Sequence, residues 1–267
     1  MSLDRNTGDE CPPVAVLNVD GNSPFVLLCD HASNRLPEPY DQCLGISQTD
    51  KMAHIAWDPG ALGVSKHLSN LLDAPLVYST LSRLIIDCNR HQNAADLIPS
   101  VSELTKIPGN ADVPNTERAR RIAMAYAPFH KAAEQVLARR EAANKPVAVV
   151  SIHTYTPVYK GTARPWQIGL IHAEDKRLAQ PALTALRRIP GLQVGDNEPY
   201  APADGVYYTI KRHGQDRGHK CLMIEIRNDE VRTPEQEENW ANILAAVLTE
   251  ALAHEGNRLP AAGGLHA

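Results

Sequence analysis

Histidine, carboxylate and arginine residues recur at one kind of place in this sequence, the ends of short apolar runs. PFVLLCD (24–30) runs into His31, VAVVSIH (147–153) closes on His153, RLIIDC (83–88) leads to Asn89 and Arg90, and CLMI (221–224) leads to Glu225 and Arg227. A neutral imidazole is the commonest protein ligand for zinc, and a strand end holds it rigidly. His31 and His153 are therefore the candidate metal ligands, although either one alone would more often be a hydrogen-bonded core histidine. A catalytic zinc needs a third protein ligand and an open position for water. Asp58, four residues after His54 in HIAWDPGA, is the candidate, since the two share a face if that segment is helical. It fits equally the start signal of the helix that follows, as an N-cap before Pro59. Asn34, three residues after His31, is the alternative ligand, and its amide is a poorer one than a carboxylate.

Glu225 is flanked by apolar residues in MIEIR, an environment that raises a carboxyl pKa toward the range of a general base; the competing role is an ion pair with Arg227. Arg83, Arg90, Arg164 and Arg227 carry planar forks suited to bidentate carboxylate recognition. The stretch DNEPYAPADGVYYTIKRHG (196–214) is rich in turn formers and hydrogen-bonding groups, with Asn197, Tyr200 and His213 among them, and reads equally as a substrate-covering loop or as an ordinary polar loop with one short helix.

The elements that must position these groups follow from periodicity. Six buried strands are expected, at 24–30, 75–80, 83–88, 147–153, 166–172 and 221–227. Helices are expected at 60–73, 116–144, 176–189 and 234–256, the last with Thr233 as N-cap and Pro234 at its first position. The alternation predicts an α/β sandwich of three layers around a largely parallel sheet, with chemistry at the carboxyl edge of the strands. Residues 91–114 read as a long loop.

Composition narrows the partners. A net charge of −4 over 267 residues gives no broad attraction to nucleic acid or to an anionic membrane. No apolar run reaches the roughly 18 to 20 residues that span a bilayer. The amino terminus is acidic where a secretory signal is basic, and the five cysteines are odd in number and lack a CxxC pair, which suits reduced thiols. The expectation is one cytoplasmic catalytic domain over 1–267, with its core at about 22–254. No GxSxG, GxGxxG, Walker A or HExxH motif occurs, so the usual signals of serine hydrolases, dinucleotide binders, phosphate-loop enzymes and HExxH metalloproteases are missing.

Beyond these readings, the chain resembles the N-formylglutamate amidohydrolase family. The matching segments are CDHASNRLP (29–37), HIAWDPGA (54–61), SRLIIDCNR (82–90), IPGN (107–110), SIHTYTPVYKGTARPW (151–166), GDNEPY (195–200), RHG (212–214) and IEIRND (224–229). The resemblance implies a mixed-sheet fold of the phosphorylase/hydrolase type, like that of zinc carboxypeptidases and aspartoacylases. It implies a zinc or other divalent metal ion on His31 and His153, with Glu225 activating water and Arg83, Asn89 and Arg90 clamping a substrate carboxylate. Those relatives carry HxxE at the first ligand, and Asn34 stands at the matching position here, which leaves the third ligand open between Asp58 and Asn34. The implied activity is hydrolysis of an N-formyl or N-acyl amino acid such as N-formyl-L-glutamate, a step of histidine degradation. The alternatives are a deacylase or carboxypeptidase-like hydrolase of another carboxylate-bearing substrate, and a non-catalytic carboxylate-binding protein. The sequence carries no signal of oligomeric state.

Overall fold

The computed structural model describes residues 11–256, so the two ends of the expected 1–267 domain, and residues 1–10 of its acidic start, lie outside the described residues. A seven-stranded sheet forms the middle layer, built from β1 (Val14–Leu17), β2 (Phe25–Cys29), β3 (Leu76–Ser79), β6 (Ala148–Tyr155), β9 (Ile168–Ile171), β10 (Val194–Asp196) and β11 (Lys220–Arg227). Its order is β1-β3-β2-β6-β11-β9-β10, with β3, β2, β6 and β11 mutually parallel, and β1 and β9 antiparallel to their neighbours β3 and β11. Two small hairpins stand apart from it, β4 (Val101–Ser102) with β5 (Thr105–Lys106), and β7 (Val158–Tyr159) with β8 (Thr162–Ala163).

Helices cover both faces. Short α1 (Tyr40–Cys43) and α2 (Gln48–Met52) precede α3 (Ala61–Leu72), and α4 (Asn115–Arg121), α5 (Ala127–Ala142), α6 (Ala179–Leu186), α7 (Tyr208–His213) and α8 (Pro234–Gly256) follow. Alternate residues of each strand point to opposite layers. Leu27, Leu76, Val150, Leu222 and Ile224 pack with Leu68 of α3, Leu183 of α6 and Leu244 of α8. Val26, Leu28, Val77, Val149 and Met223 pack with Phe129 and Leu137 of α5 and with Leu84 and Ile86. The central strands are buried along their whole length, which is why their sequences read as continuous apolar runs.

Five of the six expected strands form. The sixth, RLIIDC at 83–88, is a buried turn. Its backbone is satisfied locally: Leu84 N donates to Ser82 Oγ at 3.2 Å, Ile85 N to Ser82 O at 3.1 Å and Asp87 N to Leu97 O at 2.8 Å, leaving no run of groups for a ladder. Edge strands β1 and β10 escape sequence reading because they are short and only partly buried. All four helices form. The expected 116–144 helix carries a π-helical turn at Ile122–Tyr126, directly before Pro128, whose missing N–H and bulky ring disrupt an ordinary α-turn. Thr233 caps α8, its Oγ1 accepting from Gln236 N while Gln236 Oε1 accepts from Thr233 N. No helix among the described residues is long and apolar enough to cross a membrane.

Candidate active site

Because β2, β3, β6 and β11 run parallel, their carboxyl ends lie on one edge, and the residues there line a cavity of about 480 Å3. His31 follows β2, while His153 of β6 stands in direct register with Glu225 of β11. Asp58 arrives by a loop tied to the same edge, its N–H donating to His31 O at 2.9 Å.

Carboxylate oxygens stand close to both ring nitrogens of each imidazole, but His153 Nε2 and Asp30 Oδ1 meet without forming a hydrogen bond. His31 Nε2 lies 2.7 Å from Asp87 Oδ1, and its Nδ1 lies 3.3 Å from Asp58 Oδ2 and 3.8 Å from Asp30 Oδ1. His153 Nδ1 lies 2.9 Å from Asp58 Oδ2, and its Nε2 lies 3.2 Å from Asp30 Oδ1. The second oxygen of Asp30 accepts from Thr209 Oγ1 at 2.5 Å. All of these acids and both histidines are buried.

Charge sets the protonation states. Burial and the Arg83 guanidinium push the His31 pKa down, but Asp87, Asp58 and Asp30 outweigh them and raise it to about 10. His153 is raised too, Asp30 and Asp58 overcoming the effect of burial. Asp87 sits well below the ordinary carboxylate range, burial being overcome by Arg83 and His31. Glu225 moves the other way: burial, reinforced by Asp58 and partly offset by His153, His31 and Arg83, pushes its carboxyl up to about 7.

Asp30 Oδ1, His153 Nε2 and Glu225 Oε2 are buried without a hydrogen-bond partner. Such atoms are costly unless something completes them, and an ion is one such thing. The donor atoms of Asp30, His31 and His153 lie within 4.8 Å of one another, so this buried group could hold a metal ion.

Arg83, Asn89, Arg90, Arg164 and Tyr200 also line the cavity, so the structure brings together nine of the twelve residues singled out in the sequence. Several are already engaged. Arg83 Nη2 pairs with Asp87 at 2.5 Å, and Arg90 Nε pairs with Asp96 at 2.6 Å. The Asn89 amide is spent on the chain that precedes and opens α7, donating to Val206 O and accepting from Thr209 N. Arg164 differs. Its buried guanidinium stacks against Tyr155, Tyr159 and Tyr200 at 5.5, 4.5 and 4.8 Å from the ring centroids, donates to Tyr200 Oη at 3.0 Å, and has no carboxylate partner among the described residues. Tyr200 is brought in by glycines: a Cβ on Gly169 or Gly195 would lie 1.8 or 2.5 Å from Glu198 O, so only bare backbone on β9 and β10 admits this loop.

Asn197, His213 and Arg227 lie outside the cavity lining. Asn197 Oδ1 accepts from His172 N, His213 Nε2 meets His130 Nδ1 at 2.8 Å, and Arg227 pairs with Asp229 and Glu230, in place of the competing Glu225–Arg227 ion pair. Asn34 donates to Lys51 O and is not part of the donor group. Asp58 is no helix cap: Gly60 holds that position in α3, the segment carrying His54 is not helical, and the Asp58 carboxylate turns to the imidazoles. Asp30 and Asp87 were missed, although Asp30 directly precedes His31 in CDH and Asp87 stands two residues before Asn89 in DCNR.

The family model described as N-formylglutamate amidohydrolase matches residues 23–231. The crystal structure of a gene product from Agrobacterium tumefaciens is 39% identical with a TM-score of 0.90, and the match covers 92% of this chain and 97% of that one. The N-formylglutamate amidohydrolase of Ralstonia eutropha shares the fold at 18% identity and a TM-score of 0.64, with 91% and 97% covered. No curated protein matches the sequence. With a family match over most of its length and the fold of a family member, the chain belongs to the N-formylglutamate amidohydrolase family.

Proposed function

We propose that the protein is a metal-dependent amidohydrolase that cleaves the acyl–nitrogen bond of an N-acyl amino acid, with Asp30, His31 and His153 holding a zinc or other divalent ion. The supporting observation is Asp30 Oδ1 and His153 Nε2, buried 3.2 Å apart without a hydrogen bond, beside Glu225, whose own Oε2 has no hydrogen-bond partner and whose pKa stands near 7. Asp30 suits the ligand role better than Asp58 does. Its free oxygen belongs to the buried donor group, whereas Asp58 holds His153 Nδ1 as Asp87 holds His31 Nε2, the arrangement by which outer carboxylates fix the tautomer of metal-ligating imidazoles. A bound divalent ion supplies positive charge that acidifies water and polarises the acyl carbonyl.

Glu225 takes the proton of the attacking water and delivers it to the departing amine, a role that calls for a pKa near the working pH. Arg164 receives the substrate carboxylate and orients the scissile bond, since Arg83 and Arg90 already hold acids. The cytoplasm is the proposed compartment, and the breakdown of acylated amino acids the proposed context.

Metal analysis and turnover of the Glu225→Gln variant test the reading. Retained metal with turnover reduced by about 100-fold or more supports Glu225 as base. Near-normal activity would remove it from that role. Absence of stoichiometric metal from active wild-type protein would exclude the metal-dependent mechanism.

A further inference from the structure

The charges around the cavity are matched one against another, with three exceptions. His54 Nε2 pairs with Glu103 at 2.9 Å, Arg83 with Asp87 and more distantly with Asp58, and Arg90 with Asp96, while both site imidazoles lie between carboxylates. Arg164 is the exception among the cations. Glu225 and Asp204 are the exceptions among the acids: Glu225 Oε2 has no hydrogen-bond partner, one Asp204 oxygen accepts from Ala201 N at 2.8 Å, and no cation pairs with either among the described residues. The cavity therefore offers one unclaimed guanidinium, and its remaining unclaimed charge is negative.

A ligand with two carboxylates meets this lining badly. One can take Arg164, whose planar fork presents N–H donors beyond the one given to Tyr200. The other would have to displace Asp87 from Arg83, stranding a buried acid, or displace Asp96 from Arg90. Arg90 is the softer of the two because Asp96 is exposed, yet Arg90 shares its wall with Asp204, which stands between this cavity and a neighbouring one. Glu103, carried on the tip of the β4–β5 hairpin, held by Lys160 N at 3.1 Å and paired only with the His54 imidazole, adds a further carboxylate to the lining. Like charges placed against a ligand discriminate by repulsion.

We infer that the enzyme selects N-acyl amino acids with a single carboxylate and a neutral side chain, Arg164 receiving the carboxylate while Asp204 and Glu103 reject a second one. The inference rests on the amidohydrolase reading of the same site.

The direct test is a pair of near-isosteric substrates, N-formyl-L-glutamine and N-formyl-L-glutamate, with their N-acetyl counterparts, assayed on the zinc-loaded protein. The neutral member should have the higher kcat/KM by about 30-fold, within the range that a mismatched polar group produces. Equal values, or a preference for the glutamate compound, would overturn the inference. Calorimetry of the same pair on Glu225→Gln reads the preference without turnover. If no compound is hydrolysed by the wild type but the neutral one binds more tightly, the hydrolase reading fails and the selectivity stands; equal binding sinks the selectivity alone.

The double variant E103Q/D204N should narrow the ratio to below about fivefold. An unchanged ratio would remove the two acids from the role. R164M should raise KM for both compounds by about 100-fold, with R164K restoring part of the loss. A KM unmoved in R164M would remove Arg164 as the receptor.

Discussion

Glu225 and His153 are direct partners across the parallel strands β11 and β6, which holds a carboxyl group with a pKa near 7 against the proposed donor group. If Glu225 acts as a base, log(kcat/KM) should rise with pH and level off above about 7, where the carboxylate is fully formed. Glu225→Gln should lack this limb as well as most of the turnover. A pH–rate profile that stays flat from pH 5 to about 8 in the wild type would assign the base elsewhere. The stability effect has the opposite sign: with a folded pKa above the ordinary 4.5, Glu225 makes the native state progressively less stable as pH rises from 4.5 to about 7.

The two imidazoles depend on their outer carboxylates. Asp30→Asn should abolish stoichiometric metal binding. Asp58→Asn and Asp87→Asn should weaken it by about 10- to 100-fold while leaving the fold intact. Competition with a chelator measures all three variants, and equal affinities for Asp30→Asn and wild type would rule out Asp30 as a ligand.

Chelation should lower the melting temperature of the wild type, and added zinc should restore it, because an ion bound only by the folded chain stabilises it by mass action. Among the site residues, the buried atoms of Asp30 and His153 that lack hydrogen bonds are the structural reason to expect this. A thermal midpoint indifferent to chelator and to zinc would contradict the expectation.

A second histidine pair lies away from the cavity lining. His130 and His213 stack with centroids 5.1 Å apart and share one hydrogen bond. Burial, with the Arg212 and Arg217 charges, lowers the His213 pKa from 6.5 to about 3, and burial with His213 and Arg212 lowers that of His130. The unfolded chain takes up these protons first. Stability is therefore complete above about 6.5 and declines as pH falls toward 3, by up to ~1.4 kcal/mol per pH unit for each site. Denaturant titrations of His213→Gln should show a shallower acid decline; an unchanged slope would mean the pair already carries its protons when folded.

Gly169 faces Glu225 across β9 and β11 and leaves space for Glu198 O. Gly169→Ala should displace the loop that carries Tyr200, lowering kcat/KM by about tenfold or more without loss of the sheet, as expected when a positioning loop moves by about 1 Å. Kinetics alongside circular dichroism check this; wild-type kinetics would show that the loop has another anchor.

Much of the fold was legible because burial imposes period. The central strands read as apolar runs, and α3 repeats buried residues at helical spacing. RLIIDC misled because burial and aliphatic content are shared by strands and buried turns, and only its hydrogen bonds to Ser82 and Leu97 distinguish them. His31, His153 and Glu225 were legible as polar residues at apolar strand ends. Asp30 was hidden in the same run as His31, where nothing in the sequence tells which of two adjacent polar groups faces the cluster.

The sequence by itself determined the strand-end chemistry, the layered α/β architecture and the family. Tertiary structure decided which charges are spent. Arg83, Arg90 and Arg164 are equivalent as residue types, but Asp87 and Asp96 occupy the first two, while three tyrosine rings surround the third and no acid among the described residues pairs with it. The reason is that pairing depends on which chains meet at the sheet edge, and Asp30, Asp58 and Asp87 meet the two histidines from segments up to 123 residues apart, from Asp30 to His153.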